Sequence, residues 1–366
     1  MLILRFREAV ALTHKFSAMK KIILTCALSA LMLSASAQLT ERRMATLVDD
    51  GVTKVFYGKD APSQAYQEAK EGATIIVGEG EYSQLSVAGK SVKVYGVGFE
   101  DNEESGAVST KMSVYINSGK YFDEYGKEYY AYPENLHLEG LHMNRCYVYE
   151  DGKAGELKGL NISKCRIEGS GTYERFDIYA KTVGMVVSQS KVMNVYFHNL
   201  ENDALFRNCI INCVEMGTDL KSGIVIDHCI INRIYSSCIA YYTNNIVLGQ
   251  NEHIPADAMA FNNIFVNKDA WNINATGEGN WFGIAVNGIF AEDGEDGTYA
   301  PGKKFTLKYP KTYIATDGTE VGINGGTTPW NPIPALPRII SSKIENRADS
   351  DGKISVSIKV EAQNKP

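Results

Sequence analysis

The sequence predicts an all-β chain wound into a single-stranded parallel β-helix solenoid, and three observations carry that expectation. The stretches "LEGLHMNRCYV" (Leu138–Val148) and "LKGLNISKCRI" (Leu157–Ile167) match at Leu, Gly, Leu and Cys, 19 residues apart. With Cys146 and Cys165 set at position zero, further copies centre on Ser190, Cys209, Cys229, Asn263 and Gly288. Self-similarity at roughly 20–25 residues marks a solenoid. Finally, positions −5, −3 and +2 are apolar through the copies, as in Leu141, Met143 and Val148 or Ile224, Ile226 and Ile231. Spacing by two is strand periodicity, and the extra step between −3 and 0 marks a bend between two short strands. Composition agrees, since 33 Gly and 21 Tyr in 366 residues lean towards β structure. A leucine-rich repeat would need its own Leu and Asn consensus and a helical segment in each copy; neither is present.

Taken in order, the chain first shows "MKKIILTCALSALMLSASAQ" from Met19: two lysines, an apolar run and Ala35-Ser36-Ala37. That is a positive region, an apolar region and a small-residue cleavage site, so residues 1–37 read as a signal peptide with Met19 as the true start. Cleavage near Ala37 would deliver the mature chain to the periplasm or the exterior. No other stretch is long and apolar enough to span a bilayer. Removing the five basic residues and one acid of positions 1–37 leaves 32 basic against 42 acidic residues, a net charge near −10. Such a chain has no general electrostatic reason to bind nucleic acid or anionic lipid. Six cysteines remain (Cys146, Cys165, Cys209, Cys213, Cys229 and Cys238). An exported chain with an even number invites disulfides. A stacked inward column is poorly oriented for them, so free thiols packed as small apolar groups are expected.

Next, "DAPSQAYQEAKEG" (Asp60–Gly72) reads as a short capped helix, and "ATIIVGEGEY" follows as a strand and turn. A helix at the open end of a β-helix would solve its edge problem. The opening "AYQEAKEGATIIVGEGEY" resembles the usual first coil of the pectin-lyase-like superfamily, secreted right-handed parallel β-helices, and the closing "DGTEVGINGG" (Asp317–Gly326) resembles the end of many β-helix proteins exported by glycan-using bacteria. The resemblance implies a β-helix over 38–335 and work on extracellular glycans. The remainder, 336–366, follows the Pro-rich "TPWNPIPALPRI"; its "KISVSIKVEAQ" alternates and reads as one capping strand.

Family members that cleave polyuronides use a basic proton abstractor, with carboxylates holding calcium. The matching local motifs are missing: there is no Asn-Thr-Asp-Gly with a later Arg-Ile-Lys, no Gly-x-Val-Asp-Phe, and no Arg-x-Pro-x-x-Arg. "GIVIDHCII" contains an Ile-Asp-His tripeptide, but Ile226 is a core position. Arg207, stacked one coil from Asp227, is the candidate base with a charge partner. Arg145, Lys164, Arg166 and Lys191, at positions −1 and +1, would form a basic strip suited to an acidic glycan. The insertion "YFDEYGKEYYAYPEN" (Tyr121–Asn135) offers Tyr129, Tyr130 and Tyr132 as a sugar-stacking platform. Asp203, Glu215 and Asp219, or the acidic "AEDGEDGTY", could supply oxygens to Ca²⁺, which no spacing here demands. The sequence therefore points to an exported β-helix that binds a carbohydrate polymer without cleaving it. The alternative is a polysaccharide lyase acting on an acidic glycan by β-elimination.

Overall fold

The structure, a computed structural model, describes residues 43–361 apart from 102–107, 169–174, 200, 217–222, 236–237, 293–295, 336–337, 345–351 and 354–355. The leader-like segment 1–37 and Asp219 lie outside the described residues.

Two long sheets run the length of the solenoid, and each coil gives a strand to both. The first sheet opens with an antiparallel hairpin, Met44–Asp49 with Val52–Tyr57. It passes through Thr74–Val77, Lys93–Tyr95, His137–Glu139, Asn161–Ser163 and Thr182–Ser188, then Asn202–Arg207, Gly223–Asp227, Tyr241–Thr243 and Met259–Phe261. The second runs from Gly80–Ala88 and Thr110–Asn117 through His142–Val148, Arg166–Ile167 and Lys191–Phe197 to Ile210–Met216, Ile230–Ile234, Ile246–Val247, Ile264–Phe265 and Trp281–Phe282. The coil-to-coil pairings are parallel and in register, as a β-helix requires. The helix Ala61–Glu68 packs against the first strands of both sheets and closes the start of the stack. Ala61, Ala65 and Tyr66 are buried, and the Tyr66 hydroxyl donates to the carbonyl of Ala88 at 3.0 Å. Asp60 sits at its N-cap but makes no side-chain capping bond.

The interior is filled by the inward positions. Leu141, Met143, Leu160, Ile162, Val187, Phe206, Ile226 and Ile231 are completely buried, each worth about 1.5–3 kcal/mol against exposure. The six cysteines are free and buried.

One tight bend joins the sheets in each coil, and one residue there adopts the left-handed conformation. Lys164, Gln189, Asn208, His228, Asn244 and Asn262 have φ between 48° and 61°, with Gly140 and Gly279 continuing the column at both ends. The residue after each bend points inward and forms a ladder: Leu141, Cys165, Ser190, Cys209, Cys229, Asn245 and Asn263. Its backbone N–H has left the sheet register, and the next coil's side chain satisfies it. Cys229, Asn245 and Asn263 donate to the Oδ1 atoms of Asn245, Asn263 and Asn280 at 2.8, 2.9 and 2.9 Å.

This corrects the repeat in three places. Cys146 is not a rung; Leu141 stacks on Cys165, so the interval there is 24 residues rather than 19. Period-two apolar spacing fits either register, and Gly140 decides it by taking the bend, which a bulge between Met143 and Cys146 follows. Asn245 adds a rung between Cys229 and Asn263. Gly288 is off the ladder, within the short helix Val286–Ile289, while Asn280 holds the next rung.

Beyond Trp281 the chain leaves the solenoid and folds back over it. Ile289, Phe290, Phe305, Leu307, Tyr313, Val321 and Ile323 pack on the outer face of the second sheet, over Ile210, Ile230, Ile246 and Ile264. This makes a second core outside the first. Residues 314–335 then run back along the bends as a strap, the "DGTEVGINGG" stretch among them. Asn262 Nδ2 donates to Ile314 O at 2.8 Å and Asn244 Nδ2 to Thr316 Oγ1 at 3.0 Å. Asn208 Nδ2 reaches Ile323 O and Gly325 O at 2.8 Å each, and Ala335 N donates to Glu139 at 2.6 Å. The tail holds two strands rather than one: Val356–Glu361 pairs antiparallel with Arg338–Ile344 as a separate two-stranded sheet. No helix among the described residues is long and apolar enough to cross a membrane.

Candidate functional site

Arg207 and Asp227 end adjacent strands of the first sheet, paired in register. Their side chains meet at 3.2 Å in a cleft of about 390 Å³ that His228, Thr243, Asn244 and Asp317 also line. Asp227 is saturated. It accepts from Arg207 Nε, from His228 Nδ1 at 2.9 Å, from Thr243 Oγ1 at 2.9 Å and from Asn244 Nδ2 at 2.9 Å. Burial opposes ionisation, yet His228, Asn244 and Thr243 outweigh it and hold the Asp227 carboxyl down at about 2. His228 is buried at the bend, with Nε2 3.2 Å from Thr319 Oγ1 on the strap. The cleft is thus built largely from the anchors of the strap.

The basic strip does not form as the 19-residue repeat implies. Lys164 is 6 % exposed, its side chain in the bend near Glu139, and burial lowers its pKa. Arg145 lies on a different column, its guanidinium 5.3 Å above the Tyr147 ring. Arg166 and Lys191 are neighbours in register, with His142 beside them in place of Tyr147. Both converge on Glu168: Arg166 forms an ion pair with it, and Lys191 Nζ lies 2.6 Å from Oε2. Burial raises the Glu168 pKa, and those two cations more than reverse it. Burial first, then Arg166 and Lys111, bring His142 down to about 4.

The tyrosine-rich insertion is an antiparallel hairpin, Gly119–Phe122 with Glu128–Ala131. Tyr121 and Tyr129 stack at 5.4 Å, and Tyr125 at the tip is 87 % exposed. Lys153 Nζ sits 5.1 Å over the Tyr130 ring. Tyr132 is buried instead of presented; its hydroxyl donates to Tyr149 O at 2.6 Å and accepts from Asp151 N at 2.8 Å.

Beside that hairpin runs a line of rings absent from the sequence reading. Tyr149, Tyr179 and His198 occupy consecutive coils at the ends of second-sheet strands, each N–H bonded to the coil before. Tyr115, Tyr147 and Tyr196 lie one step inward on the same face. Tyr147 meets Tyr149 at 4.3 Å and Tyr179 at 5.1 Å; Tyr179 stacks on His198 at 3.6 Å. Beneath them the buried carboxylate of Asp177 accepts from Arg175 Nε at 2.8 Å and pairs with His198 at 3.0 Å. Arg175 also covers Tyr196 at 4.6 Å. The aromatics spaced by two at 147/149 and 196/198 were the available signal.

Asp203 and Glu215 fall in different sheets, so they do not converge on a cation. Among the described residues no three His, Cys, Asp or Glu side chains group as metal ligands do. No family model, curated protein or solved structure matches the chain.

Proposed function

We propose that the protein is an exported β-helix, related to the pectin-lyase-like superfamily, that binds a carbohydrate polymer on the outer face of its second sheet. The carrying observation is the ring line Tyr149–Tyr147–Tyr179–His198, continuous with the exposed hairpin. Coils repeat at about 4.8 Å, so rings on successive coils meet a chain laid along the axis at regular intervals. Tyr147 and Tyr115 meet Tyr149 at a tilt, 48° and 32°, and Tyr149 is exposed, so it is the ring of the line best placed to meet the apolar face of a sugar. Tyrosine hydroxyls and the flanking arginines supply the polar contacts. Glu168 ion-pairs with both Arg166 and Lys191 and cancels one of their two positive charges, which weakens the pull of this strip on a polyuronide. Export rests on the leader-like pattern at Met19–Ala37.

The lyase reading is weaker because an ion-paired Arg207 and a four-fold bonded Asp227 are poor proton abstractors. Calorimetry against a glycan panel tests the proposal. Wild type should bind at least one polymer, and Tyr147→Ala with Tyr179→Ala should weaken that binding by about tenfold or more. Equal binding by the double variant would remove the ring line from the site. Ultraviolet absorbance from an unsaturated product on any polyuronide, with or without calcium, would replace binding with β-elimination.

A further inference from the structure

A second cleft, of about 460 Å³, opens where the C-terminal segment passes Glu100 of the early coils. That volume falls in the range of small-molecule sites. Tyr299 and Trp330 form part of its wall and meet edge to face at 6.0 Å, and Lys191 Nζ sits 5.0 Å over the Tyr299 ring. The Tyr299 hydroxyl is buried with no hydrogen-bond partner among the described residues. A buried hydroxyl without a partner is unfavourable, and a ligand that bonds it removes the cost. Glu320, half-buried in the same wall, has no side-chain hydrogen bond recorded among the described residues, and burial raises its pKa. Lys303, Lys304 and Glu100 complete the charged lining; Lys303 is already engaged, donating to Thr298 O at 2.8 Å and lying 3.4 Å from Asp296.

We propose that this cleft is a second binding site, separate from the ring line, that takes one neutral saccharide residue. The aromatic pair receives the apolar face of the sugar. The Tyr299 hydroxyl, the Glu320 carboxyl and the Lys304 ammonium group exchange hydrogen bonds with the ring hydroxyls. With Lys303 engaged elsewhere, the lining has no excess of positive charge to select an anion, and the mix of donors and acceptors matches a polyol.

Calorimetric titration with D-glucose, D-galactose, D-mannose, D-xylose and D-glucuronate tests the assignment. At least one neutral sugar should give saturable heat. Tyr299→Phe should weaken it roughly tenfold, with the melting temperature unchanged or higher because the lost hydroxyl had no partner. The Tyr147→Ala, Tyr179→Ala variant should bind that monosaccharide as wild type does, even where it has lost the polymer. Saturable heat from none of the neutral sugars, binding confined to glucuronate, undiminished affinity in Tyr299→Phe, or loss in the ring-line variant would each overturn the proposal.

Discussion

The outer face of the second sheet is one column of residues with two chemistries. Next to the bend, the upper coils present Lys111, His142, Arg166 and Lys191; the lower coils present Ile210, Ile230, Ile246 and Ile264. Backbone, register and neighbours are alike. What changes is the cover: the C-terminal segment packs over the isoleucines, while the charged half is bridged by Glu168 and borders the ring line. A solenoid face therefore declares its purpose by what the chain leaves uncovered. A half sealed by its own apolar segment is a core; the more open half, its paired charges half-buried and bordered by rings, is the candidate working surface.

Substitutions along this column test the contrast. The largest effect is expected from Ile230→Asp, which buries an unpaired carboxylate in the second core and should cost about 4 kcal/mol or more in guanidinium unfolding. Arg166→Gln, one column neighbour of the open half, should cost far less; equal losses would erase the distinction. The bend ladder comes next. Asn263→Leu leaves the Asn245 N–H without its acceptor and removes the bond to Tyr242 O, a loss of about 2–4 kcal/mol in the same assay.

Acid separates the halves by pH window. His142, in the open half, is held at about 4 against an ordinary 6.5. The unfolded chain takes the proton first, so this stability is full above pH 6.5 and is lost as pH falls towards 4, about 2–3 kcal/mol in all. Asp227, under the strap, is held at about 2 against 3.8. Its contribution, on the order of 2 kcal/mol, survives that window and goes only as pH falls from about 4 to 2. Urea midpoints measured against pH should show two steps. His142→Gln should flatten the upper and Asp227→Asn the lower; a single step removed by neither variant would contradict both assignments. The smallest effect is expected for Arg145→Ala, which removes a ring contact on an open surface and should cost about 0.5–1 kcal/mol.

Most of the fold was legible in the sequence. Inward positions such as Ile162, Val187 and Ile226 follow from spacing, because burial on one side of a strand leaves a period of two. The register of the first coils was not, because the bulge between Met143 and Cys146 puts Cys146 and Val148 on the inward face as well, and only the left-handed bend at Gly140 decides between the two five-residue alternatives. The site was less legible. Tyr179 and His198 meet at 3.6 Å across 19 residues, a contact between successive coils that no local motif records. Lys164 reads as an outward charge by position yet is buried in its bend, and His228 is buried under a strap residue 91 positions away.

Ala335 bonding to Glu139 spans 196 positions, and the strap in between touches the bends of six coils. A plain solenoid is a one-dimensional array whose ends can fray while its middle holds. Here a segment that follows the coils in sequence can seat only on coils already stacked, and once seated it couples them. Local opening of one coil must then break contacts at the strap as well, so amide exchange across the strapped coils should tend towards a single cooperative unit. The strap acts as a latch laid across stacked coils, tying the opening of each strapped coil to that of its neighbours.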